Sequence, residues 1–331
     1  MGDVAMTVPV IRALIDQHPD CEVTVLSKPF LKPLFENIPN VHFYAAEVKG
    51  KHKGMLGLYR LYKELSKKNI THVADLHNVL RSKVVRAFFK LSGKPIGFID
   101  KGRAEKKALT STVNKVFKQL KTSHQRYADV FSSLGFTINI YNPIPIKKKP
   151  LSKNIIKLTS EKEHTWVGLA PFAAFQGKVY PLHLMEVVLE KLSSKGLKIF
   201  LFGGGEHEIQ ILKTLEEKYD HTVSIAGKIS FKEELDLIQS MDLMISMDSG
   251  NAHLAAMQGI KTITLWGVTH PFAGFAPYNQ PPDYCMLPDL EKYPKIPCSV
   301  YGNKVIEGYE TVMESIDPEE VATKVLSVLN S

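Results

Sequence analysis

The sequence predicts an α/β protein built from two Rossmann-like domains that face each other across a cleft. The chain has 331 residues, which is more than one hydrophobic core usually supports. Short β-rich runs alternate with amphipathic stretches in both halves, the pattern of a parallel sheet with crossover helices. A charged, proline-bearing stretch at 146–153 separates the halves and is typical of a linker.

The first domain is predicted to span 1–150. Its β-rich runs and amphipathic stretches predict strands at Glu22–Leu26, Val41–Tyr44 and His72–Asp75, and helices at Val8–Gln17, Leu56–Lys67 and Ser82–Leu91. Residues 1–9 have the character of a loop that follows a strand, whereas a βαβ domain normally begins with the strand itself. We therefore expect a first strand upstream of Met1, and Asp3 on the loop at the carboxyl edge of the sheet.

The second domain is predicted to span 151–316, and a last helix 317–331 to pack back toward the first domain. Apolar runs predict strands at Trp166–Pro171, Lys198–Gly203, Leu243–Met247 and Thr262–Trp266. The last helix has its own start signal, because Asp317 is a good N-cap and Pro318 suits the first helical position.

Composition and charge narrow the class of protein and its partners. The three cysteines are too few and too scattered for a disulfide framework, and no apolar run approaches the ~18 to 20 residues of a membrane span. We expect a cytoplasmic protein that can also associate peripherally with the inner membrane. The net charge is +8, and 19 Lys and Arg against four acids lie between Lys49 and Lys121. This excess favours phosphates or anionic lipid as partners over nucleic acid, although a simply solvated basic face is an equal alternative.

The segment 242–259 carries the strongest sign of chemistry. An apolar strand runs into Asp248, Ser249 and Gly250, and a helix is predicted to open near Asn251. In a parallel sheet this places the positive end of a helix, with free N–H groups, at the carboxyl end of a strand, which suits a diphosphate. The alternative is that Asp248 and Ser249 only cap the helix and that His253 is a packed core histidine.

Two further loops follow predicted strands. Lys178 lies in a loop just before Tyr180 and Pro181, where its ammonium group could neutralise a phosphate, or could simply be solvated. The turn Gly203–Glu208 matches neither G-x-G-x-x-G nor a P-loop. Glu206 or Glu208 could accept hydrogen bonds from ribose hydroxyls, and plain turn residues are the alternative.

Taken together, these segments resemble the family of ADP-heptose:lipopolysaccharide heptosyltransferases, glycosyltransferase family 9, with its two-Rossmann-domain GT-B architecture. The resemblance rests on Gly2, Asp3, Thr7 and Pro9 at the start, on Asp75–Ser82 and His124–Tyr127 in the first half, and on Lys178, Pro181, Gly203–Glu208, Gly227–Ser230, Asp248–Ala256 and Gly267–Pro271 in the second. His270 stands where the family often has an acidic residue.

The resemblance implies a role for each matching residue. Asp3 matches the general base, and the donor is implied to bind Lys178, Glu206, Glu208, Ile229, Asp248, Ser249, Gly250 and His253. Arg81, Lys101 and Arg103 are candidates for the acceptor side. The implied reaction is inverting transfer of a sugar, heptose from ADP-heptose, to a lipopolysaccharide-core or related glycolipid acceptor. The first domain would then bind the acceptor and the second the nucleotide sugar.

An inverting transfer needs a carboxylate that takes the acceptor's proton and a positive field for the departing diphosphate. Because Lys178 and the helix after Asp248 can supply that field, we expect neither a metal ion nor a cofactor. The alternatives are a transferase of the same architecture that uses a UDP- or GDP-sugar, and a nucleotide- or lipid-binding relative without catalysis. A dinucleotide oxidoreductase is disfavoured because the glycine fingerprint is absent.

Overall fold

The computed structural model describes residues 1–331 and divides them into two compact units. The first unit comprises Met1, 6–102 and 121–144, and the second comprises 2–5, 103–120 and 145–331. The compact units thus depart from the predicted halves at 2–5, at 103–120 and at 145–150. The second of these segments joins its unit because Leu109 and Leu120 are buried against Ala273, and because the Leu120 N–H donates to the Phe272 carbonyl at 2.9 Å.

Ten strands and twelve α-helices make up the fold. The strands are β1 (Val23–Ser27), β2 (Val41–Ala45), β3 (Val73–Asp75), β4 (Ile96–Phe98), β5 (Trp166–Ala170), β6 (Lys198–Leu201), β7 (Thr222–Ser224), β8 (Leu243–Met247), β9 (Lys261–Leu265) and β10 (Cys285–Met286). The helices are α1 (Gly2–Ala5), α2 (Thr7–Gln17), α3 (Gly54–Ser66), α4 (Leu80–Leu91), α5 (Arg103–Leu109), α6 (Ser123–Ser132), α7 (Lys153–Thr159), α8 (Leu182–Ser193), α9 (Glu206–Lys218), α10 (Phe231–Ile238), α11 (Gly250–Ala256) and α12 (Pro318–Leu329).

The second unit is built on one six-stranded parallel sheet. Its strand order is β10-β9-β8-β5-β6-β7, the order of a Rossmann fold. β5 and β8 are buried along their whole length, as expected for strands covered on both faces. The chain leaves β5 toward one edge and β8 toward the other, so the strand order reverses between these two neighbours. In such sheets ligands bind outside the carboxyl ends of the strands at this switch point.

The first unit contains two separate two-stranded parallel sheets, β1 with β2 and β3 with β4. Helices α3 and α4 pack on each other through Leu58, Leu61, Leu65, Val85 and Phe89. A polar network fixes the start of α3. His52 is buried, its Nε2 lies 3.0 Å from the Glu64 carboxylate, and Tyr44 donates to the same carboxylate. These contacts hold the pKa of Glu64 down to about 2, the hydrogen bond from Tyr44 being the main cause.

The α/β fold class with parallel strands is confirmed, and the predicted long strands and helices are found within a few residues. The sequence reasoning missed the short strands β4, β7 and β10. It also placed Asp3 on a loop, whereas the structure has it in the helical turn α1. Within the second unit, α12 packs on α8 and β8. None of the helices combines the length and the apolarity that a membrane crossing requires.

Candidate functional site

Lys178 and Asp248 meet at the switch point of the six-stranded sheet. Lys178 lies in the connection that follows β5, and Asp248 comes directly after β8. The Lys178 ammonium donates to the Asp248 carbonyl oxygen at 2.6 Å and lies 3.3 Å from Oδ2 of the same residue. The Thr269 hydroxyl donates to that Oδ2 at 2.9 Å. The structure therefore brings together two residues that the sequence analysis selected from separate loops.

The backbone beyond Asp248 opens α11 without a side-chain cap. Ser249 is the N-cap residue, but its Oγ lies 3.1 Å from the Ser246 hydroxyl instead of accepting from the first helical turn. The first N–H groups of an α-helix have no partner within the helix. The alternative that the Ser249 side chain caps the helix is therefore not what the structure has, and the N–H groups of the first turn have no side-chain acceptor.

His253 on α11 is buried, with 7% of its surface exposed. Burial lowers the pKa of its imidazole to about 4, and the nearby Asp248 and Asp3 carboxylates act in the opposite direction. The ring is therefore neutral at pH 7, and its Nδ1 has no hydrogen-bond partner in the structure. Gly2 packs beside it, because a Cβ added at Gly2 would lie 3.1 Å from His253 Cδ2. This contact brings α1, with the exposed Asp3, to α11.

The remaining donor candidates follow β6 and β7, so all of them lie on the carboxyl side of the same sheet. Glu206 is exposed at the first position of α9, and the Glu208 carboxylate accepts from the Gly204 N–H at 2.8 Å. Ile229 is half-buried just before α10. Glu208 thus shapes the glycine turn, while Glu206 is the more accessible carboxylate.

The acceptor candidates fall in different units. Arg81 is exposed on α4 and Lys101 is half-buried, both in the first unit, whereas the exposed Arg103 begins α5 in the second. Three lysines of the basic stretch 101–121 are already engaged, which the sequence did not indicate. Lys106 is buried with its ammonium 4.0 Å from the Phe275 ring centroid, Lys115 donates to backbone carbonyls, and Lys121 donates to Asp129 at 2.7 Å; these contacts occupy them.

Sequence reasoning missed Gly302, which lies against the Lys178 side chain. His270, noted in the sequence only as a departure from the family pattern, is buried directly after Thr269. Burial lowers the pKa of His270 to about 4, and its Nδ1 accepts from the Phe272 N–H at 3.1 Å. The sequence around Gly302 contains no signal of this role, because the role depends on a contact with Lys178 in a distant loop. The structure contains no group of three or more His, Cys, Asp or Glu side chains placed to hold a metal ion.

Comparison with known proteins identifies the family. The pattern of glycosyltransferase family 9 (heptosyltransferase) matches residues 58–301. The lipooligosaccharide heptosyltransferase 2 of Haemophilus influenzae is 28% identical over 291 residues, 82% of each chain. A glycosyltransferase family 9 structure from Veillonella parvula superposes with a TM-score of 0.76 at 20% identity, covering 100% of this chain and 94% of that one. The E. coli ADP-heptose lipopolysaccharide heptosyltransferase II superposes with a TM-score of 0.67 at 19% identity, covering 99% and 96%. The chain thus belongs to glycosyltransferase family 9 (heptosyltransferase).

Proposed function

We propose that this chain is an inverting glycosyltransferase that transfers heptose from ADP-heptose to a lipopolysaccharide-core or related glycolipid acceptor. The names of its relatives support the sugar and the acceptor, and the E. coli relative is named for ADP-heptose. The observation that carries the proposal is the placement of Lys178 beside Asp248 at the switch point of the sheet. In this proposal the second unit binds the nucleotide sugar and the first unit binds the acceptor.

The donor diphosphate binds at Lys178 and the opening of α11. An ammonium group has three donors; the Asp248 carbonyl accepts one of them, and the Asp248 carboxylate forms an ion pair with the ammonium at 3.3 Å. Another of these donors reaches the diphosphate. Ser249 and Gly250 let the diphosphate approach the N–H groups of the first helical turn, His253 lines this end of the helix, and Ile229 and Glu206 contact the nucleoside.

Transfer proceeds in one displacement. The Asp3 carboxylate takes the proton of the acceptor hydroxyl as its oxygen bonds to the anomeric carbon. The bond from that carbon to the diphosphate oxygen breaks on the opposite face, which inverts the configuration, and ADP leaves with the bonding electrons. Lys178 and the α11 N–H groups stabilise the charge that develops on the diphosphate, in place of a metal ion. Arg81 and Lys101 of the first unit bind phosphate groups of the acceptor.

The donor site is tested by nucleotide titration of Lys178→Ala. A charge-assisted hydrogen bond contributes ~1.5 to 3 kcal/mol, so ADP affinity should fall about 10- to 150-fold. Lys162→Ala is the matched control, because Lys162 donates at 2.7 Å to both the Asp242 carboxylate and the Ser240 carbonyl at the other end of β8. Calorimetry should show normal ADP affinity in the control. Equal affinity in both variants would contradict the site, and tighter binding of UDP or GDP would change the donor.

The base is tested by Asp3→Asn, which removes the proton acceptor and keeps the shape of the side chain. We expect ADP affinity within twofold of the parent and a loss of transfer of at least 100-fold, within the range for a general base. Transfer is measured as release of ADP together with the mass of the glycosylated acceptor. Full transfer by this variant would exclude Asp3 as the base.

A peripheral membrane contact completes the proposal, and α3 offers the surface for it. Met55, Leu56 and Tyr59 are exposed on this helix, Leu56 to 85%, and Lys53 and Arg60 are exposed beside them. An exposed apolar face flanked by cations suits an anionic bilayer surface. Leu56→Glu should reduce cosedimentation with phosphatidylglycerol vesicles, whereas Leu91→Glu, at a leucine 86% exposed on α4, should not. Equal binding to phosphatidylcholine vesicles would remove this part of the proposal.

A further inference from the structure

We propose that Gly302 is a positioning residue for Lys178, and that the loop 297–303 holds this lysine against Asp248. The inference rests on the proposed function, in which Lys178 binds the donor diphosphate, and it adds a residue outside the segments that resemble the family.

The backbone at Gly302 lies directly along the aliphatic stem of Lys178. A Cβ added at Gly302 would lie 2.5 Å from Lys178 Cγ, 2.6 Å from Cδ and 3.0 Å from Cε. Gly302 also has a φ of +82° and is buried, so the position requires glycine both for its conformation and for its lack of a side chain. Any other residue there would push the stem, and with it the ammonium group, away from Asp248.

The loop 297–303 and the turn that carries Lys178 are both hydrogen-bonded to the backbone of Val268, which follows strand β9. The Cys298 and Ser299 N–H groups both approach the Val268 carbonyl, at 3.1 and 3.2 Å, while the Val268 N–H donates to the Gly177 carbonyl at 3.0 Å. The Gly302 N–H donates to Ser299 Oγ at 3.0 Å. Val268 therefore fixes the loop and the lysine turn to one another, and Ser299 closes the loop over the stem.

Lys115 anchors the start of this loop. Its ammonium donates to the carbonyls of Leu109, Lys295 and Pro297 at 3.1, 2.9 and 2.7 Å, which uses all three of its donors. Burial lowers the pKa of Lys115, while the nearby Cys298 acts in the opposite direction. The carbonyls on either side of Ile296 are thus both hydrogen-bonded to Lys115 of the 103–120 segment. These bonds fix the backbone at the start of the loop 297–303.

A fixed stem matters because a free lysine side chain loses much rotamer freedom when it binds a ligand. The backbone at Gly302 removes most of this rotamer freedom before the ligand binds. The two contacts with Asp248 set the direction of the ammonium group. Lys178 is thereby preorganised for an anion, which raises affinity without any added contact.

The experiment compares Gly302→Ala with Gly308→Ala. Gly308 has nearly the same backbone, with a φ of +79°, but an added Cβ there would meet no atom within 4 Å. The control therefore has the same local strain and no contact with Lys178. We expect Gly302→Ala to weaken ADP binding at least tenfold and Gly308→Ala to leave it within twofold. In a Lys178→Ala background, Gly302→Ala should weaken ADP binding no further, because the two changes remove one interaction. Equal losses in both glycine variants, or an additive double variant, would overturn the proposal.

A second readout needs no nucleotide. Lys178 is about 12% exposed, so acetic anhydride should label it slowly, and mass spectrometry measures the extent against the other lysines. Labelling of Lys178 should rise at least threefold in Gly302→Ala and in Ser299→Ala, which frees the loop without adding atoms, and should stay unchanged in Gly308→Ala. If Lys178→Ala leaves ADP binding intact, the proposed function fails while the labelling still decides the positioning. Unchanged labelling in both loop variants would show that the loop does not hold the lysine.

Discussion

Replacing His270 by Asn should make the stability of the second unit less dependent on pH. His270 is buried, and burial lowers the pKa of its imidazole to about 4, with Lys115 adding to the shift. The folded state therefore favours the neutral ring. This contribution to stability is complete above the unfolded pKa of about 6.5 and is lost as the pH falls through about 4. The Asn side chain keeps an oxygen that can accept from the Phe272 N–H, as Nδ1 of His270 does.

The size of the effect follows from the two pKa values. At pH 5 an unfolded histidine is almost fully protonated, whereas the folded His270 is mostly neutral, so the free energy of unfolding falls by about 2 kcal/mol between pH 8 and pH 5. His253 contributes in the same direction, because its pKa is also lowered to about 4. Glu234 acts in the opposite direction, because burial raises its pKa to about 7. The parent's own pH dependence is a net of these terms, and only the difference between parent and variant isolates His270.

Urea unfolding at pH 8 and pH 5 measures this difference. The two tryptophans, Trp166 and Trp266, are buried in the second unit, so their fluorescence follows the unit that contains His270. The parent should lose about 2 kcal/mol more than His270→Asn between the two pH values. His207→Asn, at an exposed histidine of α9, should behave as the parent. The reasoning is refuted if the His270 variant and the parent lose equal stability on acidification, whatever their absolute values.

Three other substitutions test separate parts of the fold. Glu234→Gln should raise the melting temperature at pH 8 and have much less effect at pH 5. A carboxyl whose pKa is raised by burial lowers stability only at pH values where it ionises. An equal shift of the melting temperature at both pH values would count against this. Tyr180→Phe should lower the free energy of unfolding, measured in urea, by about 1 to 3 kcal/mol, because the buried Tyr180 hydroxyl donates to the Ile316 carbonyl at 2.6 Å. Stability equal to that of the parent would show that this hydrogen bond does not stabilise the fold. Gly57→Ala should lower the melting temperature of the first unit, because an added Cβ would lie 2.3 Å from the His52 carbonyl carbon. Thermal unfolding followed by circular dichroism measures this. An unchanged melting temperature would show that the turn at His52 can move.

The long strands and helices were predictable because their buried positions carry apolar residues in a recognisable sequence pattern. β8 is buried at every position and apolar at all of them except Ser246, and its predicted bounds, Leu243–Met247, are those observed. The missed strands β4 and β7 have three residues each and β10 has two, too few for any periodicity to appear. They form because the neighbouring strand presents unpaired backbone groups, which is a property of the assembled sheet.

The candidate site was predictable as residues and not as contacts. Lys178 and Asp248 were each selected because a polar residue follows an apolar strand, but the hydrogen bond between them joins positions 70 residues apart. The basic stretch 101–121 shows the limit of counting charges. The Lys115 ammonium donates to the carbonyls of Lys295 and Pro297, which are 180 and 182 residues away in the sequence. Composition records the lysines, whereas the fold decides which of them still have a free donor.

An acid beside the lysine of an anion site offsets the hydration that the lysine loses on burial and fixes the direction of its ammonium group. The two side chains are only 12% and 10% exposed, so an unpaired Lys178 ammonium would lose much of its hydration with nothing in return. The Asp248 carboxylate offsets that loss, and Thr269 keeps the carboxylate itself in place. The hydrogen bond to the Asp248 carbonyl and the ion pair with its carboxylate fix the position of the Lys178 ammonium group, so its other donors are already oriented when the ligand binds. Asp248 therefore acts on the donor through Lys178, and the strength of this site depends on the backbone that holds the pair together as much as on the two residues themselves.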